Sequence, residues 1–247
     1  LDKVEQNRKE CYIREFSIEH FHDSKVFETL IPKICKIFRE ENEELTGFEN
    51  EEILAEYQIY KTPGYVYMKG NVQIYSAGKQ AADISAFPEG IAVAVGSEED
   101  VPDICPDQTI DKVFTIENLT SFYRFKQEHS LVIYLGGYHD RSRRNLLMQI
   151  YQKLPDAQYY HFGDLDAGGF YILEHLKRKT GIPFQMFQMD IETLKKYEDY
   201  AKPLTENDKK RLMQLEKMEL PDEERKLITY MLQKGIKLEQ ECISESQ

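Results

Sequence analysis

The chain has 247 residues, of which 41% are hydrophobic and 12% aromatic, which is enough for the core of a soluble globular protein. Its formal net charge of −12 argues against a chain that wraps nucleic acid by charge alone, but a metal-assisted nuclease site, which concentrates acid locally, is compatible with it. The sequence has no apolar run long enough to span a bilayer, no secretory signal and no C-x-x-C pair among its four cysteines.

These features predict a cytoplasmic protein with reduced thiols that does not associate with a membrane. The chain begins with Leu1 rather than Met, which leaves open whether it is a fragment of something longer.

Residues 1–108 are predicted to form a mixed α+β portion. Alternation from Tyr12 to Ile18 predicts a strand, and helical spacing of apolar residues predicts a helix from Lys25 to Arg39. Segments 65–69 and 72–75 flank Gly70-Asn71, which is the sequence pattern of a two-residue β-hairpin. A further strand is expected over 91–95.

Residues 109–190 alternate between strands and helices. The predicted strands are 113–116, 131–135, 158–162 and 183–187, and the helices between them are 118–127, 141–154 and 168–179. Such alternation is typical of an α/β fold with a parallel sheet flanked by helices and right-handed crossovers. Residues 191–247 are predicted to be a helical C-terminal extension, with helices at 191–200, 207–218 and 221–234.

Acidic residues follow two of the predicted strands. Asp164 and Asp166 come after strand 158–162, and because side chains two apart in an extended chain point the same way, we expect them to project together. Glu117 ends strand 113–116, and sites in open parallel sheets form beyond the carboxyl ends of the strands. Converging carboxylates require a cation, and a hard divalent ion such as Mg²⁺ with oxygen ligands is the usual one. Gly168 and Gly169 predict a tight turn that leaves a bare helix N-terminus as a seat for a phosphate.

The order of these strand ends resembles the Toprim domain of topoisomerases, primases and related nucleases. The segments that carry the resemblance are Thr115-Ile116-Glu117-Asn118-Leu119, Gly136-Gly137, and residues 163–170, which read Gly-Asp-Leu-Asp-Ala-Gly-Gly-Phe. They are similar to the topoisomerase VI A-subunit branch and, within it, to the C-terminal domain family of JetD from the Wadjet plasmid-defence system. Two further segments, residues 22–28 and Leu238-Glu239-Gln240-Glu241, fit the same family pattern.

The resemblance implies a Toprim-like catalytic core over residues 109–190 that cleaves DNA with Mg²⁺, or with Mn²⁺ in its place. Asp164 and Asp166 would hold the ion, and Glu117 would complete the cluster or move a proton at the departing oxygen. Glu239 and Glu241 are candidates for additional acids of the cluster, or they are simply acidic residues of a terminal helix. The implied role is the nuclease subunit of a plasmid-defence complex, with DNA, SMC-type subunits and a second copy of the chain as partners.

The attacking group remains open between two sources. Topoisomerase VI-type enzymes use a tyrosine from a separate winged-helix domain, and none of the 16 tyrosines here stands out by its context. If the chain is complete, the resemblance favours a metal-activated water.

Several residues are candidates for contacts with DNA. Gly136 and Gly137 would let a phosphate approach, as would Gly168 at the start of the next helix. Arg141, Arg143 and Arg144 would either contact DNA phosphates or solvate a helix N-terminus.

His161, inside a predicted strand, is interpreted as a core or sheet-face histidine rather than a ligand.

Two other functions compete with metal-dependent DNA cleavage. A phosphotransferase of the haloacid-dehalogenase type, with Asp164 as nucleophile, is disfavoured because the motif follows two earlier strands and leads into Gly168-Gly169. A non-catalytic module that docks partner subunits stays open, since the charge of −12 suits a basic partner.

Overall fold

The computed structural model describes residues 1–42, 45, 48–61, 64–95, 102–136 and 141–243. In this part of the chain the α-helices are α1 (Asp2–Glu5), α2 (Ile13–Phe21), α3 (Val26–Glu41), α4 (Asn50–Glu56), α5 (Leu119–Arg124), α6 (Arg141–Lys153), α7 (Ala167–Thr180), α8 (Ile191–Lys196), α9 (Glu206–Leu215) and α10 (Asp222–Lys234). The strands are β1 (Cys11–Tyr12), β2 (Ile59–Tyr60), β3 (Gly64–Lys69), β4 (Val72–Ser76), β5 (Lys79–Asp83), β6 (Ile91–Val95), β7 (Asp103–Pro106), β8 (Lys112–Ile116), β9 (Ser130–Tyr134), β10 (Gln158–Phe162), β11 (Gln185–Met186), β12 (Lys202–Pro203) and β13 (Ile236–Lys237).

A six-stranded sheet with the order β11-β10-β8-β9-β3-β6 forms the centre of the fold. The four strands from β11 to β9 are parallel, whereas β3 runs antiparallel to both β9 and β6. The predicted α/β class is confirmed, but the predicted parallel sheet is limited to these four strands and the main sheet is mixed.

Two hydrophobic cores lie on the two faces of this sheet, because neighbouring residues of a strand point in opposite directions. Val113 of β8 and Leu131 of β9 belong to one core, which also contains apolar residues of α3, α4 and α6. Phe114 and Val132 belong to the other core, which is covered by α5, α9 and α10. Helices on both faces leave the strand ends as the accessible rim of the sheet.

The predicted hairpin around Gly70-Asn71 is wrong. Strand β3 pairs with β6 and β9, whereas β4 pairs with β5 and β7 in a separate three-stranded sheet. Both edges of β3 are occupied, so the chain has to leave the main sheet at this turn. Gly70 has a φ of +139°, and a Cβ there would lie 2.5 Å from the carbonyl oxygen of Ser130 at the start of β9. The glycine therefore allows a close approach between chain segments rather than a hairpin turn.

The strand predicted from Tyr12 to Ile18 is also wrong, because helix α2 covers most of it. Ile13, Phe16 and Ser17 are buried whereas Ile18 is 53% exposed. The buried positions therefore follow the i, i+3, i+4 spacing of a helix and not the alternation of a strand.

The other predicted elements match within a few residues. The helix expected at 25–39 is α3, and the strands expected at 91–95, 113–116 and 158–162 are β6, β8 and β10. Helices α8, α9 and α10 make up most of the predicted C-terminal extension, but the short antiparallel pair β12–β13 was not predicted. The division at residues 108 and 190 stays a prediction, although β3 and β6 from the first portion complete the central sheet.

Candidate functional site

The carboxyl ends of three neighbouring parallel strands bring the predicted acids to one rim of the sheet. Glu117 directly follows β8, and its backbone N–H donates to the carbonyl of Phe162, the last residue of β10, at 3.0 Å. Asp164 lies two residues beyond β10. Gly136 lies two residues beyond β9, on the other side of β8. The placement expected from the strand order is therefore present.

The Glu117 side chain is half-buried and lies over the backbone of Gly163 and Asp164. Its Oε2 lies 3.4 Å from the backbone nitrogen of Asp164, in a long hydrogen bond. A Cβ on Gly163 would lie 2.6 Å from this same oxygen, so any larger residue there would displace the carboxylate from its present position. Burial, followed by the charges of Asp164 and Asp166, raises the pKa of Glu117 to about 8.

Asp164 is held by the C-terminal part of the chain. Its Oδ1 accepts a hydrogen bond from the backbone N–H of Gln240 at 2.7 Å. Burial raises the pKa of Asp164 to about 6, against the opposing effect of this hydrogen bond. The charges of Asp166, Glu241 and Glu239 raise it further. Asp164 thus lies close to the charges of two acids on the segment that holds it.

Asp166 caps helix α7. Its Oδ1 accepts from the backbone N–H of Gly169 at 2.9 Å, the usual bond of an N-cap aspartate. The N-terminus of α7 is therefore capped by a side chain, and the prediction of an uncapped helix N-terminus is wrong. A Cβ on Gly169 would lie 2.2 Å from the Asp164 carbonyl oxygen, so the glycine lets the first turn of α7 lie directly against the Asp164 backbone.

Gln240 is a site residue that the sequence did not single out. Its side chain is fully buried; Nε2 donates to the Phe162 carbonyl at 3.0 Å, and Oε1 accepts from the Asn118 backbone N–H at 2.8 Å. Leu238 pairs with Leu165 in an antiparallel bridge. These bonds fasten residues 238–240 to the ends of β8 and β10. The family pattern at 238–241 was the signal that could have identified this role.

The two additional acids lie on this segment, and each has a partner. Glu239 Oε1 is 2.5 Å from Lys202 Nζ, and Glu241 Oε1 accepts from Asn118 Nδ2 at 2.6 Å. Both side chains are close enough to Asp164 for their charges to raise its pKa. The structure thus brings them near the cluster, while their participation in it stays a prediction.

The candidate DNA contacts have different surroundings. Gly136 has a φ of +70°, and Gly168 lies in the first turn of α7. Gly137 and the side chain of Arg141 lie outside what the structure describes. Arg143 Nη2 donates to the Tyr65 carbonyl at 3.2 Å, near the same rim.

Arg144 has an environment that weighs against contact with DNA. Its Nη1 lies 2.8 Å from Glu56 Oε1, and the two side chains are only 10% and 18% exposed. Its role as a DNA contact stays a prediction.

Comparison with known proteins places the chain in a family. Residues 99–247, more than half of the chain, match the family model described as Wadjet protein JetD, C-terminal. The chain belongs to this family. It is also 30% identical over 235 residues to Wadjet protein JetD of Bacillus cereus (strain Q1). That alignment covers 93% of this chain and 56% of the relative, so the similarity extends N-terminally beyond the family model, and the chain spans little more than half of that relative's length.

The site of this JetD C-terminal family member fits a hard divalent cation in chemistry and charge. All three central side chains are carboxylates, and within the described residues none of them forms an ion pair with Lys or Arg. In the same part of the chain, no three His, Cys, Asp or Glu side chains are gathered closely enough to hold a metal ion as they stand. Glu117 and the two aspartates would therefore have to close around a cation.

A tyrosine lies next to the cluster in this family member. Tyr134, the last residue of β9, has a phenol pKa that burial raises and the charge of Arg143 lowers, with smaller increases from Tyr67 and Glu117. The net increase favours the protonated phenol over the phenolate.

Among the described residues, no helix is both long and apolar enough to cross a membrane.

Proposed function

We propose that this chain is a divalent-cation-dependent DNA-cleaving domain that acts as the nuclease part of a Wadjet plasmid-defence protein. Family membership supports a role in the Wadjet system, and the acidic rim of the sheet supports phosphodiester chemistry. The Toprim-like and topoisomerase VI-like character belongs to the proposal and rests on the ordered Glu117, Gly136 and Asp164/Asp166 pattern.

One observation carries the proposal. Glu117 and Asp164 lie side by side, both half-buried, and the charge of Asp164 contributes to the raised pKa of Glu117. Among the described residues, neither carboxylate forms an ion pair with Lys or Arg. Placing like charges together in this way is costly for a fold unless function requires it. A cluster of this kind at the carboxyl ends of parallel strands is suited to bind a cation and a phosphate.

Asp164 and Asp166 would hold Mg²⁺ or Mn²⁺, with Glu117 beside them. Such an ion, when bound, offsets the negative charge that develops on a scissile phosphate. Glu117, with its pKa raised to about 8, would hold or release a proton next to the reacting oxygen. We propose water as the nucleophile and hydrolysis as the reaction, which the JetD relationship favours; the raised pKa of Tyr134 agrees with this choice.

The proposal is tested by nicking of supercoiled plasmid with Mg²⁺ or with EDTA. Asp166→Asn removes the charge but keeps the helix cap, because asparagine caps about as well as aspartate. We expect this variant to lose at least about 100-fold in nicking rate while unfolding at the wild-type temperature.

Asp190→Asn is the matched control, because Asp190 caps α8 through the same bond to the Thr193 N–H at 2.7 Å. It should nick DNA like the wild type. Equal nicking by the wild type and Asp166→Asn, or nicking in EDTA, would refute the proposal.

A non-catalytic docking role is the second candidate. It is favoured by the lack, among the described residues, of three side chains already gathered to hold a metal. The chain can be tested inside a reconstituted defence complex. If cleavage by that complex is unchanged when Asp164→Ala and Glu117→Ala are combined, the docking role is correct and the catalytic role is wrong.

A further inference from the structure

His161 is a fully buried histidine whose Nε2 has no hydrogen-bond partner in the described chain. Burial lowers its pKa to about 3, so the ring is neutral. Orphaned buried ring nitrogens are rare and costly in folded proteins.

Nε2 of His161 faces the space that Glu117 also faces. The point where a Cβ on Gly163 would sit is 2.8 Å from His161 Nε2 and 2.6 Å from Glu117 Oε2. Both atoms therefore border the same small gap over the Gly163 backbone, and the missing side chain of Gly163 keeps that gap open.

The other ring nitrogen is already paired. His161 Nδ1 is 3.0 Å from the hydroxyl oxygen of Thr115, its direct neighbour on β8, and that hydroxyl is a longer 3.3 Å from the Tyr160 carbonyl. Thr115 is fully buried, so its hydroxyl has to donate to one of these two acceptors.

The ionised form of Glu117, which is the form that can hold a cation, decides between the two tautomers. An ionised carboxylate can only accept hydrogen bonds, and a bare Nε2 facing it would place two acceptors against each other. The consistent arrangement has the Thr115 hydroxyl donating to Nδ1 over the shorter distance, with the proton of the ring on Nε2.

We propose that His161 is a positioning residue for Glu117: its Nε2–H, which has no partner among the described residues of this structure, borders the same gap as the Glu117 carboxylate and donates to it when the carboxylate is ionised, which fixes its orientation. The functional importance of this bond rests on the proposed cation-dependent cleavage, whereas the bond itself can be observed without any activity. Second-layer partners of this kind commonly set the affinity of a site for its metal.

The first test observes the tautomer directly. The chain is labelled with ¹⁵N-histidine, and side-chain correlation spectra are recorded at about pH 9, where Glu117 with its pKa of about 8 is mostly ionised. We expect a protonated Nε2 and an unprotonated Nδ1 for His161, with the signal assigned by its loss in His161→Gln. Thr115→Val, which removes the donor to Nδ1, should shift this signal. A protonated Nδ1 in the wild-type chain overturns the inference.

The second test measures Mn²⁺ affinity by electron paramagnetic resonance. His161→Leu should weaken binding by about 10- to 100-fold, whereas His161→Gln, whose amide N–H can replace the Nε2–H donor, should recover most of it. His175→Gln is the control, because His175 is also buried but lies beside Glu56. Equal affinity of His161→Leu and the wild type overturns the inference. Failure of the wild type to bind Mn²⁺ would refute the proposed function instead, and the tautomer would still decide the positioning role.

Discussion

Oε2 of Glu117 lies 3.4 Å from the backbone nitrogen of Asp164, and this contact joins the ends of β8 and β10 at the acidic rim. Asp164 in turn accepts from the backbone of Gln240, about 76 residues further along the chain. Two carboxylates from separate strands are thus held in one place by backbone groups rather than by a cationic side chain. The resulting excess of negative charge should be visible in the pH dependence of stability.

Glu117→Gln should stabilise the cation-free chain at alkaline pH. The pKa of Glu117 is about 8 in the fold and near its ordinary 4.5 in the unfolded chain, so the folded state retains a proton that the unfolded state has lost. The free energy of unfolding of the wild type therefore falls as pH rises from about 4.5 to about 8. Glutamine removes this loss, and we expect a gain on the order of 2 kcal/mol at pH 8, measured by urea unfolding in EDTA.

At about pH 4 the same substitution should bring no gain, because Glu117 is protonated in both states. Glu192→Gln on the exposed start of α8 serves as the control and should change stability little at either pH. An equal gain at both pH values would show that packing, and not charge, is responsible.

Gly169→Ala should damage the site by moving a helix. A Cβ would lie 2.2 Å from the Asp164 carbonyl oxygen, so α7 or the Asp164 backbone has to shift. We expect a loss of about 1–3 kcal/mol in stability together with weaker Mn²⁺ binding.

Gly168→Ala is the neighbouring comparison. The nearest atom to its Cβ would be a side-chain oxygen of Asp166 at 3.0 Å, which needs only a small adjustment. This variant should be much the milder of the two, and an equal loss for both would contradict the backbone contact as the cause.

Gln240→Met should release the C-terminal segment from the site. It removes the two side-chain bonds to the Phe162 carbonyl and the Asn118 N–H, and leaves these buried groups unpaired, at a cost of about 1–3 kcal/mol. Because the Gln240 backbone also binds Asp164, we expect Mn²⁺ affinity to fall as well. Gln233→Met on the exposed face of α10 is the control. A stability loss without any change in Mn²⁺ affinity would separate this segment from the site.

The sequence predicted the rim of the site because its signals are local. Asp164 and Asp166 follow a short apolar strand, and the alternation of strands with helices fixes the end of the sheet at which they lie. Gln240 could not be derived in this way, because its partner Asn118 is 122 residues away and nothing in the local pattern links them. His161 was interpreted as a core residue, which its burial supports, but the gap over Gly163 depends on packing between strands.

The hairpin prediction failed for a related reason. Gly70-Asn71 has the composition of a two-residue turn, but the composition of a turn does not show which strand edges are already occupied. Strand β3 has β6 on one side and β9 on the other, and this arrangement is set by residues far from the turn.

Arg144→Met tests whether this arginine serves the fold or DNA. Its guanidinium is buried against Glu56, and its removal leaves a buried carboxylate whose remaining cationic neighbours include Lys179, with Nζ 3.6 Å from Oε2. We expect a loss of about 2 kcal/mol in stability. The loss is smaller than for a buried carboxylate without any cationic neighbour, because Lys179 remains near Glu56. Adding Glu56→Gln should restore part of this loss, since it removes the unpaired charge. DNA affinity of the folded variant, measured by fluorescence anisotropy at low salt, should equal that of the wild type. A drop in affinity with a smaller salt dependence would instead establish Arg144 as a phosphate contact.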